Sequence, residues 1–130
     1  MVLLARVLRT GWIMRPEAFR RMALAMTGVV EGAHMGHPDF RVHGRIFATL
    51  HPDQKWGMVK LTPEQQQRFV SEASATFKPE KGAWGLQGCT AVRLAGADED
   101  LVGEAMTLAW RNVPATRASA RSKRKRRTRR

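Results

Sequence analysis

Arg121, Lys123, Arg124, Lys125, Arg126, Arg127, Arg129 and Arg130 place eight cations within ten residues, the densest run of reactive groups in the sequence. Cations at this spacing neutralise phosphates and release condensed counterions, a driving force that does not depend on base sequence. Arginine adds a planar fork that grips two phosphate oxygens at once. The partner expected from this run is DNA, with RNA as an open alternative. Anionic lipid and a nuclear import receptor reading Lys123–Arg127 are rivals. No amphipathic or lipid-bearing element adjoins the run, so a membrane is not the expected partner.

His34, His37 and Asp39 form a second cluster, with His43 and His51 within reach as further ligands. Imidazole and carboxylate at this spacing can hold a transition metal. The paired histidines of a helical zinc site are missing, however, and the chain has one cysteine. Histidines flanked by Gly and Pro are expected to make loop hydrogen bonds, and no metal or cofactor is expected. Cys89 cannot form an internal disulfide, which suits a reducing cytoplasm. A nucleophilic thiol needs a base and an orienting group; the expected role of Cys89 is that of a small buried hydrophobe.

No nucleophile elbow, phosphate-binding loop or dinucleotide fingerprint occurs. Gly82, Ala83, Trp84 and Gly85 lack the fingerprint spacing and read as loop. Asp98, Glu99 and Asp100 sit at an expected helix start, where the dipole accounts for them. The chain is therefore expected not to be an enzyme.

The net charge of +12 divides unevenly. Residues 1–113 carry 14 basic and 11 acidic side chains, a net +3, whereas 114–130 carry nine basic and none acidic. With 130 residues and 43% hydrophobic content there is room for one packed domain. No apolar run approaches the roughly 20 residues of a membrane span. Residues 1–15, interrupted by Arg6 and Arg9, are expected to form a leader outside the fold. Residues 114–130 lack any large apolar side chain and are expected to be a disordered basic tail.

Between these ends the pattern predicts an α+β domain. Pro16 and Glu17 open a helix whose stripe is Phe19, Met22, Ala23 and Met26. A loop is expected over 31–38. Phe40, Val42, Ile46, Ala48 and Leu50 all fall at even positions, so an odd-length turn at His43-Gly44 would keep them on one sheet face. Arg41, Arg45, Phe47 and Thr49 would share the other. A third strand follows over 56–61. Thr62, Pro63 and Gln65 then make a capping box ahead of a helix burying Phe69, Val70 and Ala73. Thr76–Pro79 is an expected edge strand and Cys89–Leu94 a further strand. A last helix, capped by Asp98, would bury Leu101, Ala105 and Leu108 before Pro114. The strand cations expected to project outward are Arg41, Arg45, Lys60 and Arg93. Trp56, Trp84, Phe47 and Phe77 could stack on unpaired bases where exposed, although aromatic rings in so small a domain mostly fill the core.

The stretch 16–113 resembles the MmcQ/YjbR family. The resemblance is carried by 19–28 with Glu31, by 36–50, by 58–65, and by Gly82–Gly85 with Gly88, Cys89 and Thr90. It implies a curved antiparallel sheet of frataxin-like shape and DNA binding through a double-wing arrangement of hairpins. Arg41, Arg45 and Lys60 fall on the wing-like strands. Cys89 departs from the pattern, since close relatives are expected to carry tryptophan there. The leader and the basic tail are additions to it. The acidic iron-binding ridge of frataxins has no counterpart here, so iron binding does not follow from the shape. The expectation is a monomeric, cytoplasmic DNA-binding protein, nucleoid-associated if the source is bacterial; the alternative is a metal- or small-ligand-binding domain of frataxin-like shape whose tail is incidental.

Overall fold

A computed structural model describes residues 14–114. Among the described residues four helices and six strands alternate irregularly: α1 (Pro16–Leu24), β1 (Val30–His34), β2 (His37–Val42), β3 (Arg45–Leu50), β4 (Trp56–Lys60), α2 (Pro63–Glu72), β5 (Phe77–Pro79), α3 (Gly82–Leu86), β6 (Cys89–Arg93) and α4 (Glu99–Asn112). The strands form one antiparallel sheet in the order β1-β2-β3-β4-β6-β5, so the chain meanders, crosses to the far edge through α2, and returns.

Helices α1, α2 and α4 gather on one face. Phe19 of α1, Phe69 of α2, and Val102 and Met106 of α4 meet Phe40, Phe47, Val59, Phe77 and Val92 from the sheet, all essentially without solvent exposure. Phe19 enters over Gly57, where an added Cβ would lie 2.7 Å from its ring. Glycine in mid-strand thus supplies the hollow that the ring fills. Met14, before the first helix, is also buried, and its N–H donates to the Leu94 carbonyl at 2.9 Å.

The capping box is present as expected: Thr62 Oγ1 accepts from the Gln65 N–H at 3.2 Å, and Gln65 Oε1 accepts from the Thr62 N–H at 3.0 Å. Asp98 caps α4 through the N–H groups of Asp100 and Leu101. Helix α4 is turned by about one residue from the expected stripe. It buries Val102, Ala105, Met106 and Ala109, leaving Leu101 and Leu108 half-buried. Helix α2 buries Gln66 with Phe69, while Val70 and Ala73 are half-buried.

Three strand-level expectations are corrected. Residues 31–38 are not a loop but a hairpin. Met35 and Gly36 both take positive φ (51° and 83°), the geometry of a two-residue turn that follows the twist of its strands. His43 and Gly44 (53° and 75°) make a second two-residue turn in place of the odd loop, pairing Val42 with Arg45. The ladder instead skips Phe47: Arg41 lies opposite Ile46 and Phe40 opposite Ala48. That bulge sends Phe47 into the core and puts Ile46, half-buried, beside Arg41. Lastly, the Gly82–Gly85 segment forms α3, a short helix rather than a loop.

Candidate functional site

Alternation along the strands decides what the second sheet face carries. Opposite residues share a face, so Asp39, Thr49, Met58, Ala91 and Lys78 form one row across it. Arg41 with Ile46, Lys60 with Cys89, and Trp56 with Arg93 flank that row. This face is turned away from the core built by α1, α2 and α4. One concavity lies at the end of the sheet, between the β2–β3 turn and the last turn of α4, and another opens along this face.

The first is a groove of about 530 Å³ bordered by Arg41, Arg45 and Lys60, with Thr62, Asn112 and Pro114 on its far wall. No carboxylate lines it. Arg45 is exposed at the tip of the β2–β3 hairpin, and Lys60 is half-buried. The end of β4 is held by Asn112, whose Nδ2 donates to the Lys60 carbonyl at 3.3 Å and to Gln65 Oε1 at 2.8 Å. The capped start of α2 and the last turn of α4 thereby hold Lys60 in place. Pro114, where the basic segment begins, lies on the groove wall.

Arg41 is held differently. Its Nε and Nη2 donate to Asp39 Oδ1 and Oδ2 at 2.8 and 3.1 Å. Asp39 has no solvent exposure, while the guanidinium side chain is 42% exposed. The hydrogen bonds from Arg41 hold the Asp39 carboxyl below the ordinary 3.8, outweighing the opposing effect of burial, and Asp39 raises Arg41 in turn. Gly32 makes room for the pair, since an added Cβ would sit 2.9 Å from Asp39 Oδ1. Arg41 therefore lines the groove with its charge largely balanced, whereas Arg45 and Lys60 have no acidic partner among the described residues.

The second concavity, about 400 Å³, shares Ile46 and Lys60 with the first and extends to His34, His37, Thr49, His51, Met58, Glu80, Trp84 and Cys89. The His34 and His37 rings stand edge to face with centroids 6.2 Å apart, brought together by the missed β1–β2 hairpin. Asp39 is not with them, being committed to Arg41. His51 Nε2 approaches Glu80 Oε1 to 3.6 Å, too far for a hydrogen bond. Among the described residues no three His, Cys, Asp or Glu side chains are placed to hold one metal ion. Burial pushes the Cys89 thiol up, which keeps it protonated and a poor nucleophile.

The structure thus brings Arg41, Arg45 and Lys60 together but sets Arg93 apart, opposite Trp56 at the other end of β4. There Lys78, not singled out from the sequence, places its Nζ 4.5 Å from the Trp56 ring centre. Its position opposite Ala91 in the β5–β6 pair was the only available signal. Phe47 and Phe77 are buried and unavailable for stacking, whereas Trp84 is 63% exposed. The cations Arg121, Lys123, Arg124, Lys125, Arg126, Arg127, Arg129 and Arg130 lie outside the described residues.

A six-stranded antiparallel sheet backed by helices defines the class: an α+β domain. The sequence profile of the YjbR family matches residues 24–112, and the chain belongs to that family. The fold is similar to the crystal structure of a Deinococcus radiodurans protein with a DUF419 domain, at a TM-score of 0.65 and 15% identity. The match covers 77% of this chain and 79% of that one. Comparison with curated proteins finds no match.

Proposed function

We propose that this YjbR-family protein binds DNA, largely without regard to sequence, and performs no chemistry on it. The observation that carries the reading is the groove bordered by Arg41, Arg45 and Lys60, which no acidic side chain lines and whose wall includes Pro114. Nine basic residues lie in the sequence from 114 to 130. Phosphate contacts from the groove orient the domain, and the following segment supplies most of the counterion release. Arg45 and Lys60 bear on phosphate directly; Arg41, tied to Asp39, shapes the groove between them.

Substituting Arg45→Ala and Lys60→Ala together tests the groove. Arg45 is exposed and Lys60 only half-buried, so the fold should tolerate the change. Affinity for a short duplex should fall about tenfold, the scale of one to two charge-assisted contacts. Unchanged affinity and unchanged salt dependence would remove the groove from the interface.

A further inference from the structure

The second concavity adjoins the proposed phosphate groove, and two of the residues that line it, His37 and Glu80, each hold a polar side-chain atom buried without a hydrogen-bond partner among the described residues, Nδ1 and Oε1. Glu80 Oε1 has His51 Nε2 at 3.6 Å but no hydrogen bond, and buried polar atoms without hydrogen bonds are uncommon in native folds. Both residues line one cavity of a size suited to a small planar group. Its side wall is Trp84, an indole 63% exposed on a short helix, and Met58 and Ile46 add apolar surface.

We infer that this cavity receives one unpaired nucleobase, so that the protein engages single-stranded nucleic acid with the base beside Trp84 and the flanking phosphates in the Arg45–Lys60 groove. The inference rests on the DNA-binding reading of that groove. Lys60 and Ile46 line both concavities, so base and backbone subsites are contiguous. The Glu80 carboxylate accepts from the N–H groups on a base edge, the His37 ring supplies a second polar contact, and the indole stacks on the base. A base still paired in a duplex cannot enter a concave site of this kind.

The test uses the full chain, fluorescence anisotropy, and a 12-nucleotide single strand against its own duplex. Trp84→Ala, at an exposed position, should weaken single-strand binding about tenfold, the scale of one lost stack. Duplex affinity should not change. Equal losses on both substrates, or no loss on the single strand, would overturn the base site while leaving the groove reading standing. If the parent chain binds neither substrate, the DNA-binding reading fails and this inference with it. Glu80→Gln keeps the shape but exchanges an acceptor-only group for an amide. It should reorder affinities among dA, dC, dG and dT homopolymers, and an unaltered order would overturn the assignment of Glu80 to a base edge.

Discussion

Asp39 is a carboxylate with no solvent exposure on the sheet face that it shares with Arg41 and Lys60, and its two oxygens are both taken by Arg41. Because its folded pKa is depressed, the pair adds stability that is fully present above the ordinary carboxyl value of 3.8 and is lost as pH falls through the lower folded value. Asp39→Asn should therefore destabilise the protein at pH 7 by about 1–3 kcal/mol, the low end reflecting solvent around the guanidinium. It should also flatten the acid limb of stability below about pH 4. Urea unfolding at pH 7 and pH 3 measures both; an identical pH dependence in parent and variant would show that the pair contributes nothing. At this scale the sequence was only half legible. Cys89 reads correctly as a buried small side chain because its type alone favours burial. That Asp39 would serve Arg41 rather than His34 and His37 depends on Gly32 of the neighbouring strand leaving space for the pair, which no local spacing reveals.

Elements with local signals were readable and elements without them were not. The capping box at Thr62 and the cap at Asp98 lie within four residues of chain, and both stand as expected. Strand β1 has no core-facing residue, so it carries no alternation to detect. Its turn uses Met35, a residue that holds positive φ poorly and is 85% exposed here. Met35→Asn should give the Asn-Gly turn that this geometry favours and raise stability by about 0.5–1 kcal/mol. Thermal unfolding would show it, and a lower midpoint would contradict the turn assignment. The bulge at Phe47 was equally hidden, because even spacing in β3 holds only if pairing with β2 is regular. Gly57 offers a test of the opposite sign: Gly57→Ala drives a methyl group into the buried Phe19 ring and should cost about 1–3 kcal/mol in denaturant unfolding. A neutral effect would mean that the ring can withdraw.

For the molecule as a whole, charge separates into a nearly balanced domain and a strongly basic end, and that division was fully legible in the sequence. The family and its α+β architecture were legible too, through motifs whose order and spacing agree with the match over 24–112. What required the structure was the convergence of Arg41, Arg45 and Lys60 from three strands onto one groove beside Pro114, and the exclusion of Arg93 from it. In the proposed binding mode, affinity comes mainly from 114–130 and orientation from the groove. The most direct test is the salt dependence of DNA binding by the full chain and by a chain ending at Pro114. If the full chain engages about six phosphates, the slope of log K against log salt is about −5, a loss of roughly 10³-fold between 50 and 200 mM. Truncation should reduce the slope to about −2, in keeping with Arg45 and Lys60 alone. Equal affinity and equal slope in the two proteins would contradict the account, since the basic segment would then play no part in binding.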